Sequence, residues 1–375
     1  MNNSTESRQY LPREKWQSLF DTLIDAGYRC VGPVVENHSI VFAEIENASQ
    51  LPQGWHDEQQ PGYYHLNHSD TSRAFAWANG AQAIKPQVFA PREVLWQARR
   101  NAEGKLGFDA QPTEAPRTAM IGVRACDLAA LKLMDAHFLG NDYPDAHYQQ
   151  RRENLLLIGV NCTQPSANCF CVSTGDGPNL QQGYDVMLDE LDEGFLVQSG
   201  SDEGAGIIAL LPLQQASTAH EQQATQQLQQ AVNGQQRRLP TGDIRQGLLD
   251  NLEHGQWEDV AKRCLSCGNC TMVCPTCFCH AHVEEPRLDG VASSHYRQWD
   301  SCFTQGHSYI HGITIRSDTR ARYRQWLTHK FARWYDQYGR SGCVGCGRCI
   351  SWCPVGIDVT AELTAIIPGV QDADV

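Results

Sequence analysis

The chain has 375 residues, 16 of them cysteine, with a formal net charge of −13 and 41% hydrophobic residues. That length allows two or three domains with ample cores, the acidity argues against nucleic acid as the main partner, and no stretch approaches the ~18 consecutive apolar residues of a membrane span. Met1 to Tyr10 is polar and has no apolar segment of a secretory signal, so the cysteines predict metal binding in a reducing cytoplasm rather than a disulfide framework.

In chain order, Trp16, Leu19, Phe20, Leu23 and Ile24 recur at helical spacing and predict an amphipathic helix over 13–27. Short strands are expected at Val31–Val35 and Ile40–Ile45. The stretch 50–118 contains six prolines and reads as loops with one helix near 92–102; its aromatics Tyr63, Tyr64, Phe75 and Trp77 read as core. Regularity returns at the apolar strand Ala119–Val123, which leads through Arg124, Ala125, Cys126 and Asp127 into a helix. A second apolar strand, Leu155–Val160, ends in the loop Asn161–Cys171. Strand, helix and strand in that order predict an α/β unit, whose ligands sit beyond the carboxyl ends of its strands. Cys126 and Cys162 fall at those ends. Strands are further expected at Tyr184–Leu188 and Phe195–Gln198, a solvated Gln/Ala-rich helix within 214–237, and helices from Ile244 to Lys262.

The most informative stretches are CLSCGNCTMVCP at 264–275 and CVGCGRCISWCP at 343–354. Both read C-x2-C-x2-C-x3-C-P, the ferredoxin spacing for cubane iron–sulfur clusters, in which the fourth Cys of each run serves the other cluster. One [4Fe–4S] cluster would take Cys264, Cys267, Cys270 and Cys353; the other would take Cys343, Cys346, Cys349 and Cys274. Gly268 and Gly347 let the backbone approach a cluster closely, and Pro275 and Pro354 turn the chain away. Zinc ribbons also use C-x2-C pairs, but zinc requires neither the third and fourth Cys at these spacings nor the repetition.

Eight cysteines lie outside the runs. Cys30 reads as a small apolar filler. Cys126, Cys162, Cys169 and Cys171 group at the predicted strand ends and are candidates for a third cluster. Cys277, Cys279 and Cys302 could supply an alternative ligand, a thiol that tunes a cluster by hydrogen bonding, or a further site, and the sequence does not choose among these. His280, His282, His295, His307 and His311 read as surface or core residues. The charge excess lies in residues 1–255, whereas 316–348 holds eight basic residues and two acids. That strip is either a solvated helix face or a docking surface for a partner subunit.

Chemistry that would act on a substrate is not evident. No G-x-G-x-x-G follows a strand, there is no P-loop, no paired C-x2-C motifs of a nickel–iron subunit occur, and no catalytic triad or carboxylate pair stands out. Clusters alone carry single electrons; bond-making belongs to another cofactor.

The segments GVRACDLAALKLMD, RRENLLLIGVNCTQPSANCFCVSTGDGP, RCLSCGNCTMVCPTCFC, QWDSCFTQGHSYIHG, TRARYRQWLTHKFARWYDQYG and SGCVGCGRCISWCPVGID resemble the β subunit of cytoplasmic sulfhydrogenases, the NAD(P)-linked nickel–iron hydrogenases. More distantly, the Arg-Ala-Cys-Asp, Cys-Phe-Cys and Cys-Pro-Thr-Cys positions are similar to one of the subunits of anaerobic sulfite reductase. The likeness covers roughly 119–360, and 1–118 matches less clearly. It implies an electron-transfer subunit between a flavin/NAD(P)-binding subunit and catalytic hydrogenase subunits, or the equivalent subunit of a sulfite or sulfur reductase. The expected architecture is an α/β N-terminal domain over 1-245, followed by a mainly α-helical dicluster ferredoxin domain over 246-375.

Overall fold

A computed structural model describes residues 8–367; Met1 to Ser7, the start of the polar N-terminus, and residues 368–375 lie outside it. Its strands are β1 (Gln9–Pro12), β2 (Arg29–Glu36), β3 (Ser39–Glu44), β4 (Trp55–Gln60), β5 (Tyr63–His68), β6 (Arg92–Arg100), β7 (Leu106–Ala110), β8 (Thr118–Val123), β9 (Leu155–Val160), β10 (Val186–Glu190), β11 (Gly194–Ser199), β12 (Gln214–Gln215), β13 (His280–Pro286) and β14 (Ala292–Trp299).

The main sheet runs β12-β1-β11-β10-β9-β8-β2-β3. Its centre, β10-β9-β8-β2, is parallel, and antiparallel strands flank it on both sides. Parallel strands are covered on both faces, which is why β8 and β9 read as unbroken apolar runs. Alternate side chains take opposite sides. Ile121, Leu156 and Ile158 join Leu19, Phe20 and Leu23 of the helix Gln17–Asp25, while Met120 and Leu157 pack on Leu131, Met134 and Phe138 of the helix Ala125–Phe138.

The stretch 50–118 departs from the expected loops. Trp55–His68 forms the hairpin β4–β5, and the segment expected to be a helix near 92–102 is strand β6. Here tertiary pairing overrides local preference: β6 lies between β7 and β14, with Trp96 opposite and stacked on His295, centroids 3.4 Å apart. Phe75 and Trp77 are core as expected, whereas Tyr63 is exposed and Tyr64 stacks on Trp352 beside the second cysteine run.

The four-stranded sheet β13-β14-β6-β7 joins strands from both sides of residue 245, so the chain after that point is not helical throughout. Its remaining core is helical. Leu248, Trp257, Val260, Tyr323, Trp326 and Leu363, from the helices Ile244–Asp250, Gln256–Arg263, Thr319–Thr328 and Val359–Ile366, converge on one apolar cluster. The Gln-rich helix Thr218–Asn233 buries only Ala224, Gln227 and Ala231 and is otherwise solvated, as its composition predicts.

Candidate metal centres

The two cysteine runs fold alike. After Cys264 the backbone turns through Ser266 (φ 51°) and Gly268 (φ 75°) into the short helix Asn269–Met272; after Cys343 it turns through Gly345 (φ 64°) and Gly347 (φ 73°) into Arg348–Ser351. The turn aims amides at sulfur. The Ser266 N–H donates to Cys264 Sγ and the Gly345 N–H to Cys343 Sγ, both at 3.4 Å, and the Ile357 N–H donates to Cys353 Sγ at 3.3 Å. Hydrogen bonds of this kind stabilise a charged thiolate.

Glycine is required here for space as well as for φ. A Cβ on Gly345 would lie 2.5 Å from the Cys171 backbone, and one on Gly347 would lie 2.4 Å from the Asn168 carbonyl oxygen. The loop carrying Cys169 and Cys171 therefore rests directly on the second run, fixed by the Phe170 N–H to Gly345 carbonyl bond at 2.8 Å.

Two cavities gather the eight thiols. The first is lined by Cys264, Cys267, Cys270 and Cys353, walled by Phe303 and Tyr323; the second by Cys274, Cys343, Cys346 and Cys349, walled by Phe170 and Phe331. Trp326, Val359 and Cys349 line both, so the cavities adjoin. The first gathers three cysteines of the first run with Cys349 and Cys353 of the second, and the second gathers three cysteines of the second run with Cys274 of the first.

The donor chemistry fits iron–sulfur clusters. Burial pushes the Cys270 and Cys349 thiols well above the usual range, neighbouring thiolates push them further, and Cys343 is raised to about 12 by burial. Thiols raised in this way ionise in an apolar cavity when a cationic metal displaces their protons. Among the described residues no three His, Cys, Asp or Glu side chains converge on a single ion. In a cubane each thiolate holds a different iron, so its ligands stand apart around the cluster.

The cysteines left open by the sequence separate in the structure. Cys30 is a buried filler, 2% exposed. Cys277 is buried and lies beside Cys274, which lines the second cavity. Cys279 lies beside Cys302 and His307, and the Cys302 thiol holds its pKa down at about 4. His295 stacks on Trp96 and His280 packs against Phe89, away from both cavities.

Sequence reasoning missed three buried cations. Lys330 Nζ lies 2.8 Å from Thr276 Oγ1, beside Cys274. Arg124 and Arg348 are 1% and 2% exposed, and Arg348 pairs with the fully buried Asp127 at 2.7 Å. The only hint was their position: Arg124 ends an apolar strand just before Cys126, and Arg348 lies inside the second run. The basic strip 316–348 is largely neutralised within the chain. Arg320 and Arg324 pair with Glu253, Arg333 with Asp336, and Arg340 with Asp176, and Arg322 donates to backbone carbonyls.

Fold and cavities together define an α/β protein carrying a two-cavity cysteine domain, and residues 263–357 match the family described as 4Fe-4S dicluster domain, which supports iron–sulfur clusters as the cofactor. The chain is also similar to the sulfhydrogenase 2 subunit beta of Pyrococcus furiosus, 27% identical over 368 residues that cover 96% of this chain and 98% of that one. The two findings support the sulfhydrogenase β-subunit family and iron–sulfur electron transport. The alignment extends into the first 118 residues, where motifs alone match less clearly. No solved structure matches the chain. No helix among the described residues is long and apolar enough to cross a membrane.

Proposed function

We propose that this chain is the cytoplasmic electron-transfer subunit of a hydrogenase-type complex, linking a flavin/NAD(P)-binding subunit to catalytic nickel–iron subunits. Its ligands would be Cys264, Cys267, Cys270 and Cys353 for one [4Fe–4S] cluster, and Cys343, Cys346, Cys349 and Cys274 for the other. The observation that carries this reading is the pair of cysteine-lined cavities sharing the wall of Trp326, Cys349 and Val359. When bound, such clusters supply one-electron carriage. The chain's part is to hold them adjacent, to exclude water with Phe303, Tyr323, Trp326 and Phe331, and to offset thiolate charge with Lys330 and backbone amides. The full-length likeness to a sulfhydrogenase subunit supports the choice of complex. The proposed division into 1-245 and 246-375 follows the change from sheet to helical core, with the β13–β14 hairpin crossing back.

The test is anaerobic affinity purification from the native source, with metal analysis and assays of hydrogen-dependent NAD(P) reduction and of sulfite reduction. Nickel and hydrogen-dependent activity co-purifying with the chain are expected. Sulfite reduction without nickel would transfer the subunit to a sulfite reductase, and a chain isolated without partners would overturn the assignment.

A further inference from the structure

The loop that rests on the second run carries two of the eight cysteines that neither cavity uses, and two more lie at the strand ends beside it. Cys162 follows β9, Cys126 opens the helix after β8, and Cys169 and Cys171 lie on the loop between them and the second run. Cys169 Sγ is 4.0 Å from the Cys346 carbonyl oxygen and 3.3 Å from Ser166 Oγ; Cys171 Sγ accepts from Gln235 Nε2 at 3.0 Å. A Cβ on Gly177 would lie 3.1 Å from Cys171 Sγ and 3.3 Å from Ala125 Cβ, so Cys171 borders the turn that carries Cys126.

Their burial resembles that of the cavity cysteines. Cys126, Cys162 and Cys169 are half-buried residues whose thiols are desolvated by their surroundings. Cys270, Cys343, Cys346 and Cys349 show the same combination. Cys171 is more enclosed, at 7% exposed, and the core filler Cys30 has almost no free surface, at 2%.

Charge points the same way. Arg124 lies beside Cys162 and donates to the neighbouring Asn161 carbonyl at 3.4 Å, and Arg348 lies beside Cys126 and Cys346. Both guanidinium groups are buried with Nε lacking any partner, and the buried Asn168 Oδ1 next to Cys169 is also unpartnered. Buried cations are retained where anions compensate them. The carboxylates here, Asp127 and Asp57, are themselves engaged by Asn79 and Arg348 and by Ala78 and Gln59. Arg124 donates to the Phe75, Trp77 and Asn161 carbonyls, and among the described residues no carboxylate forms an ion pair with it.

We propose that Cys126, Cys162, Cys169 and Cys171 hold a third [4Fe–4S] cluster, beside the second cavity and flanked by Arg124 and Arg348. The site extends the line of two cavities into the α/β part of the molecule, at the carboxyl ends of its parallel strands. The proposal rests on the electron-transfer reading of the dicluster domain and adds a binding site to it.

The test is iron and acid-labile sulfide per chain on the anaerobically purified complex or full-length chain, with quantitative EPR after reduction. Three cubanes give about 12 iron atoms per chain and two give about 8. The expected result is about 12 in the native chain and about 8 in both Cys162→Ala and Cys169→Ala, with one set of EPR signals lost and two retained. A native count of about 8, or variants that keep about 12, would overturn the third site while leaving the dicluster reading intact. No iron in the native chain would overturn both. If a variant does not fold, the native count and spin integration still decide.

Discussion

Replacing Asp127 with asparagine removes one charge from a pair that joins the α/β core to the second cysteine run. Asp127 is fully buried, Arg348 is 2% exposed, and Nη2 meets Oδ1 at 2.7 Å. At an effective dielectric near 20 the attraction is about 6 kcal/mol, most of it offset by desolvation of both ions. Breaking one side of a buried pair costs about 3–5 kcal/mol. Asparagine keeps an acceptor for Arg348, so the lower end, about 3 kcal/mol, is expected. With about 2.1 cal/mol/K of unfolding entropy per residue, a chain of this length should lose about 4 °C in apparent Tm. The assay is anaerobic thermal unfolding of cluster-loaded protein, with Asp127→Asn/Arg348→Met alongside. The double variant should recover part of the loss, because removing both charges leaves no buried ion uncompensated. A single variant that melts within a degree of the native protein, or a double variant that is worse than the single, would refute the reasoning. Removing a negative charge beside Cys346 should also raise the midpoint potential of the adjacent cluster, read by EPR redox titration.

Cys274→Ala should abolish the second cluster's signal and leave the first, although Cys274 lies in the first run; iron analysis should show a loss of about four atoms. Gly345→Ala places a Cβ 2.5 Å from the Cys171 backbone at φ 64°; left-handed strain of about 1–2 kcal/mol plus the displaced loop should lower stability by at least about 2 kcal/mol and perturb the second cluster's EPR line shape. His137 stacks on Phe278 and bonds Tyr338, and burial holds its pKa at about 4 against an ordinary 6.5. Below pH 6.5 the unfolded chain binds the proton that the folded chain refuses, so stability is full above that pH and falls as pH drops towards 4. His137→Phe should flatten that part of a denaturation–pH profile.

The cysteine runs were legible because metal chemistry constrains their spacing more tightly than packing constrains any helix. The central strands β8 and β9 were legible because burial on both faces leaves an unbroken apolar word. The sheet containing β6 was not. Its residues Arg92–Arg100 are half-exposed and alternate weakly, and the partner strand β14 lies almost two hundred residues further along, where no local pattern can register it. Buried ions were equally hidden. Arg348 and Lys330 read as members of a basic strip, and only the fold shows that their charges face thiols and the carboxylate of Asp127 rather than water. Even Tyr63 and Tyr64, adjacent in sequence, divide between solvent and a contact with Trp352 because a strand alternates its faces.

The interlacing of the two cavities governs the order in which the protein can be made. As the chain leaves the ribosome, Cys264, Cys267 and Cys270 emerge early and can offer three thiols to one cluster, but the fourth, Cys353, comes some eighty residues later. The other cavity waits as well, holding Cys274 until Cys343, Cys346 and Cys349 appear. In the interval the intervening hairpin must find β6 in the part already folded. With the proposed ligands, neither of these two clusters can close on a chain that stops short of the second run, so their insertion follows its synthesis, whereas Cys126, Cys162, Cys169 and Cys171 all emerge before the first run.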